Sequence, residues 1–233
     1  MCIRDRHLAS PEMKEYYSNK FKHKNLECIP TGFNEANFFP DLNARDSIRN
    51  ALGINPQEKV FIYAGNLFYS WQNIEEVCSL FKSFQVKFNS KLLILTRLED
   101  FSIANYFCRK FDLEEGKFIV KNVENRYMNS YLNAADFGIL LRKKHPMNLY
   151  CSPGKVGEYL CSGLKIIFTK NVGFYSKLLE NQRFCLFAED ITSESLNKFC
   201  SQEISREEIR DWSIKNISNN TFKDSLLRSV ING

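Results

Sequence analysis

Ser152, Pro153, Gly154, Lys155 and Glu158 are the residues of this 233-residue chain whose types and spacing could do chemistry together. Serine caps a helix well, and proline suits the first helical position, where its missing N–H would have no intrahelical partner. Glycine lets a ligand approach the backbone closely. A helix opening of this kind offers unpaired N–H groups and the positive end of the helix dipole, both of which attract phosphate. Lys155 and Glu158 are three residues apart and share a helix face. The first places a cation beside phosphates, the second a carboxylate one turn deeper, where it could hold ribose hydroxyls. Arg142, Lys143 and Lys144 leave the preceding strand on the same side, and Asn148 follows in that loop with an amide suited to sugar or phosphate. The same spacing also describes a capped surface helix with an i,i+3 ion pair, a solvated basic loop and an Asn148 that faces water. Spacing alone leaves both readings open.

The elements that must position these residues are read from the apolar runs. Residues 137–141 and 165–169 read as buried strands joined by a helix that opens at Ser152 and stops at Gly163. Two parallel strands joined through a helix are a βαβ unit, and the loop at 142–151 then lies outside the carboxyl ends of the strands, where such sheets bind ligands. Upstream, strands are predicted at 26–30, 59–64, 91–96 and 117–120, with helices at 10–22, 44–52, 71–88, 101–111 and 125–134. Ile74, Val77, Cys78, Phe81 and Phe84 form an apolar stripe on the longest of these. Downstream, a helix at 173–180 and a strand at 184–187 precede helices at 193–200, 206–216 and 221–230. This alternation predicts an α/β fold, a doubly wound, Rossmann-like parallel sheet with right-handed crossovers. Gly65 follows the strand at 59–64, either as an ordinary turn or as a close approach to a ligand. Arg97, His145, Tyr63, Tyr69 and Trp71 fall on the ligand side but are equally read as surface or core residues, and Asp136 reads as a turn cap.

Hydrophobic residues make up 44% of the chain and charged ones 25%, the balance of a soluble globular protein, and a net charge of +5 without a block of like charges argues for anionic small molecules over nucleic acid. No apolar run reaches the roughly 18–20 residues of a membrane span, and the opening MCIRDR is charged rather than signal-like. The eight cysteines (Cys2, Cys28, Cys78, Cys108, Cys151, Cys161, Cys185 and Cys200) contain no C-x-x-C pair and read as reduced, apolar residues of a cytoplasmic protein. The three histidines lack metal-ligand spacing, so no metal and no cofactor are expected.

Four segments in order, IPTGFN (29–34) with FFP (38–40), VFIYAGNL (60–67), LNAADFGILL (132–141) and SPGKVGEYLCSGLKII (152–167), resemble the donor-binding half of the GT-B glycosyltransferases, in particular the retaining group known as family 4 or group 1. The resemblance spans nearly the whole chain. It implies that residues 1–30 are the remnant of an N-terminal acceptor domain and hinge, 31–204 a nucleotide-sugar donor-binding domain, and 205–233 helices that cross back to the first domain. On this view the chain is N-terminally truncated, and Trp212, Phe222, Leu226 and Leu227 are left partly exposed. Glu158 matches the second Glu of the E-x7-E motif that holds the donor's ribose. Ser152 and Lys155 match positions beside its phosphates, with Pro153 and Gly154 between them, and Gly65 matches the glycine whose backbone passes the diphosphate. Two departures stand out: Tyr150 occupies the place of the first Glu, and Asn66 and Trp71 occupy the places of a basic pair. Arg142 is expected to supply the missing charge, since a guanidinium suits paired phosphate oxygens, and with Lys155 to stabilise the leaving diphosphate. The implied function is transfer of a sugar from a nucleotide-diphospho-sugar to an acceptor glycan or lipid-linked glycan in cell-surface glycan synthesis. It would be metal-independent, cytoplasmic or peripheral at the inner membrane face through the missing domain, and without a nucleic-acid partner. A non-catalytic nucleotide-binding module and a GT-B-type sugar-nucleotide epimerase are the alternatives.

Overall fold

Six apolar runs line up as one parallel sheet in the computed structural model, which describes residues 6–21, 26–170, 172–223 and 227. In chain order the elements are β1 (Arg6–Leu8), α1 (Pro11–Phe21), β2 (Leu26–Cys28), α2 (Leu42–Ala51), β3 (Lys59–Ala64), α3 (Ile74–Lys87), β4 (Ser90–Leu95), α4 (Phe101–Lys110), β5 (Phe118–Lys121), α5 (Met128–Ala134), β6 (Phe137–Leu140), α6 (Pro146–Leu149), α7 (Gly154–Cys161), β7 (Lys165–Phe168), α8 (Gly173–Leu178), β8 (Cys185–Phe187), α9 (Ser193–Ser201) and α10 (Arg206–Ile217). The sheet order is β5-β4-β3-β6-β7-β8, with every pairing parallel. The chain winds outward from β3 to β5, then returns to β6 on the other side of β3. The crevice between β3 and β6 is therefore the topological switch point, where an open α/β sheet binds its ligand.

The strands are apolar on both faces because helices cover both. Val60, Ile62 and Ala64 of β3 point into one core with Leu132, Val156, Tyr159, Leu160, Tyr175 and Ile209. Phe61 and Tyr63 point into the other with the α3 stripe predicted from sequence, whose five residues are all buried. Helix starts follow side-chain capping: Asp41 accepts from Ala44 N–H before α2, Asn73 from Glu76 N–H before α3, and Thr192 from Ser195 N–H before α9.

Most expected elements are present, their ends shifted by a few residues. Two short ones were not anticipated. β1 pairs in parallel with β2 as a separate two-stranded sheet, joined through α1, which is capped by Ser10 as expected and buries no residue. α6 interrupts the basic loop, opened by His145, whose Nδ1 accepts the Met147 N–H. α10 packs on α7 and buries Ile209, Ser213 and Ile217, so the C-terminal segment belongs to the core of this domain as far as Ile217. Trp212 packs edge-on against Phe184 and Phe222 against Phe174, both half-buried, while Leu227 is exposed; Leu226, and the expected helix beyond Lys223 except for residue 227, lie outside the described residues.

Asp136 does more than cap a turn. At the amino end of β6 its carboxylate meets three guanidiniums, Arg45 at 2.6 Å, Arg49 at 3.6 Å and Arg206 at 3.8 Å, and accepts the Val60 N–H at 2.8 Å. Its own N–H donates to Val60 O. The arginines also donate to the carbonyls of Ala134, Ala135 and Ser162, so α2, α10 and the start of α7's exit loop are tied to the β3–β6 pair. Burial lowers the Arg206 pKa to about 10 and also lowers that of Arg49, the cost of holding these charges out of water. Asp136→Ala would leave that charge without its counter-ion, and we expect a loss of about 3–5 kcal/mol in unfolding free energy, read from urea denaturation.

Candidate functional site

Tyr159 shapes the switch point. The ladder between β3 and β6 is confined to Phe61↔Phe137 and Ile62↔Gly138. Beyond it, the Ala64 N–H donates at 2.8 Å to the buried Tyr159 hydroxyl instead of to a strand. The Tyr159 ring lies against Gly138, where a Cβ would stand 2.4 Å from ring carbon Cδ2, so only glycine fits beneath it. Burial pushes the Tyr159 phenol pKa well up, and it remains a neutral acceptor. A side chain thus replaces a strand at the end of β3, and the two strands part where the ligand crevice begins.

On the β4 and β5 side of this parting lies a cavity of about 190 Å³, lined by Gly65, Asn66, Thr96, Arg97, Asn122 and Lys155 among others. Gly65 does not have a positive φ, so the turn itself does not require glycine. A Cβ there would press against the Tyr63 hydroxyl at 3.3 Å, which hydrogen-bonds to Gln72 Oε1 and Asn66 O. Lys155 Nζ contacts Glu158 Oε2 at 2.5 Å, each side chain about a quarter exposed. The expected i,i+3 pair is formed, and its lysine lines the cavity.

On the β7 side a larger cavity of about 1020 Å³ is lined by Arg142, Lys143, Lys144, His145, Tyr150 and Thr169, with Glu76 and Glu189 opposite. Burial, and then the charge of Glu189, raise the Glu76 pKa. Arg142 donates its N–H to Thr169 Oγ1, makes an antiparallel bridge with Gln72, and forms no ion pair among the described residues. Its Nε is buried without a hydrogen-bond partner. Tyr69 and Trp71 stack at 4.5 Å, and Trp71 lies against His145, a residue of this cavity's lining.

Three expected site residues are placed differently. Ser152 is not the N-cap of α7. Its hydroxyl is buried and accepts the Thr31 N–H at 2.9 Å, while Tyr175 donates to Thr31 O at 2.8 Å, so the IPTGFN segment is pinned onto the helix start. Pro153 is the N-cap and makes no side-chain cap bond, having no acceptor to offer. The first amides of α7, at Gly154 and Lys155, therefore keep the free N–H groups that a serine cap would have consumed. Asn148 is buried, with both amide protons donated, to Trp71 O at 3.0 Å and Lys143 O at 2.8 Å. It braces the basic loop against the segment after β3 and has no N–H left for a ligand. Sequence reasoning passed over Thr96, Asn122 and Thr169, each of which lines a cavity. Their signal was position: all three immediately follow a strand of a parallel sheet.

Among the described residues no three His, Cys, Asp or Glu side chains cluster as metal ligands, no helix is long and apolar enough to cross a membrane, and the cysteines are free thiols.

No family model matches the chain, and no curated protein does. Solved structures do. A glycosyltransferase from Rickettsia africae superposes with a TM-score of 0.77 at 13% identity, over 97% of this chain and 62% of its own. HepE from Anabaena, solved with UDP and glucose, gives 0.75 at 10%, over 97% and 63%. The C-terminal domain of a group 1 glycosyl transferase from Francisella tularensis gives 0.56 at 13%, over 83% of this chain and 97% of its own. The chain spans about three fifths of the longer proteins, and its fold is that of the C-terminal domain of the group 1, GT-B glycosyltransferases.

Tyr159→Phe would remove the acceptor of a buried N–H with little change in shape. We expect about 1–3 kcal/mol of destabilisation, read as a lowered Tm with an unchanged far-ultraviolet circular dichroism spectrum.

Proposed function

We propose that the chain is the donor-binding part of a glycosyltransferase, holding a nucleotide-diphospho-sugar for transfer of the sugar to an acceptor. One observation carries the reading: Gly65, Asn66 and Lys155 line one cavity at the switch point, beside an α7 start whose first amides are free. That is a backbone, a cation and a helix dipole converging where an open parallel sheet binds phosphate. UDP bound by the structurally similar HepE supports the choice of ligand class.

In this reading the nucleoside diphosphate occupies the smaller cavity, with the diphosphate against the Gly65 backbone, the α7 amides and Lys155. Glu158, released in part from Lys155, accepts hydrogen bonds from the ribose hydroxyls. The sugar extends toward the larger cavity, where the Arg142 guanidinium, in no ion pair among the described residues, faces the leaving phosphate oxygens. Charge that develops on the diphosphate as the glycosidic bond breaks is stabilised by Lys155, Arg142 and the helix start, all in place before reaction. No metal is needed for that, since the cations are side chains. The acceptor, a glycan or lipid-linked glycan of cell-surface synthesis at the cytoplasmic side of a membrane, would be held mainly by residues outside this chain.

A non-catalytic nucleotide-binding module is the second reading. It is favoured by Tyr150 in place of a carboxylate and by Asn66 and Trp71 in place of a basic pair. Calorimetric titration with UDP and GDP tests what both share. One nucleotide is expected to bind, and Lys155→Ala and Glu158→Ala are each expected to weaken it about tenfold. Absence of binding by folded protein would refute the donor site. Turnover of a nucleotide-sugar with acceptor, after joining the chain to an acceptor domain, separates transferase from module; isomerisation without acceptor would point to an epimerase.

A further inference from the structure

Asp100 is a buried carboxylate for which the proposed donor site has no use. Its side chain is 3% exposed. One oxygen, Oδ2, gathers the Leu67 N–H at 2.8 Å, the Thr96 hydroxyl at 3.2 Å and Arg97 Nε at 3.8 Å. The two loops joined in this way leave β3 and β4, and both line the smaller cavity: Gly65 and Asn66 from the first, Thr96 and Arg97 from the second. Lys155 faces them from α7 across the same cavity. Arg97 has no other ion-pair partner among the described residues, and its side chain is 48% exposed, so the guanidinium is held at its Nε side and free at its outer nitrogens.

Both positions after Gly65 where a basic pair was expected are uncharged, at Asn66 and Trp71. We infer that Arg97 supplies a cation of that missing pair from the neighbouring strand's loop, contacting the phosphates of the donor nucleotide, and that Asp100 is the positioning residue that aims it and fixes the Gly65 loop. The inference rests on the donor-site reading above and adds a residue to it. Arg142 lines the larger cavity and meets the phosphate next to the sugar; Arg97 meets the diphosphate from the nucleotide side. Asp100 Oδ2, 3.8 Å from Arg97 Nε, biases the half-exposed guanidinium toward the cavity that both loops line, which lowers the entropy lost when an incoming diphosphate meets it.

The test compares the better-bound of UDP and GDP with its uncharged nucleoside, the diphosphate by calorimetry and the nucleoside by NMR titration. Arg97→Ala is expected to weaken the diphosphate about tenfold and leave the nucleoside unchanged, with Arg97→Lys restoring part of the loss. Asp100→Asn keeps an acceptor for the Leu67 N–H but removes the charge that holds Arg97. It should weaken the diphosphate by a few-fold, with a Tm close to wild type. Equal loss of diphosphate and nucleoside would mean that Arg97 stacks on the base, and an Arg97→Ala protein that binds the diphosphate normally would mean that it faces solvent. Either result overturns the inference and leaves the donor site standing. A wild-type chain that binds neither ligand removes the donor site and the inference together.

Discussion

The pairing of β3 with β6 is the constraint on which this structure depends. The two strands are not neighbours in sequence, and their register rests on two residue pairs. One end is closed by Asp136, whose carboxylate and N–H bracket Val60 and whose three arginine partners draw in α2 and α10. The other end is opened by Tyr159, which takes the Ala64 N–H before β6 can. Closing one end with charge and opening the other with a phenol sets where the sheet parts. The parting, in turn, sets where a ligand can reach free backbone.

Such an arrangement separates stability from function along the strand axis. Buried charge sits at the amino ends of the strands, met by carbonyls and the Asp136 carboxylate at every donor but Arg49 Nε among those described, where it costs solvation and fixes geometry. At the carboxyl ends charge is left partly unmet: Arg142 lacks a partner for Nε, Arg97 shares a single carboxylate at long range, and the first amides of α7 have no cap. Donors left unmet in the proposed donor crevice, such as the α7 amides, are costly in the empty protein and favourable once an anion arrives.

In the proposed donor site the two cavities divide the labour. The smaller, bounded by loops after β3, β4 and β5, has the Gly65 backbone and Lys155. The larger, bounded by loops after β6 and β7, has Arg142, Lys143 and Lys144, none in an ion pair among the described residues, beside two carboxylates, a mixture suited to phosphate at one end and hydroxyl groups at the other. Asn148 belongs to neither. By joining the Trp71 and Lys143 carbonyls it keeps the basic loop and the aromatic segment after β3 at a fixed separation.

Periodicity and turn chemistry determined the fold class by themselves. Short apolar runs such as VFIYA and LLIL, bounded by polar residues, read as strands buried on both faces, and the α3 stripe at Ile74, Val77, Cys78, Phe81 and Phe84 reads as one side of a helix. Lys155 and Glu158 were legible for the same reason, since i,i+3 spacing is a local property of a helix. Strand order was not local, so only the tertiary structure decided which loops meet: that Arg97 joins Gly65 and Lys155, and that Arg142 lies on the other side. Nor could sequence assign Ser152, Asn148 and Asp136. A serine, an asparagine or an aspartate will bind whichever N–H, carbonyl or cation is nearest in space, and here those partners are Thr31, Trp71 and Arg45, between 77 and 121 residues away.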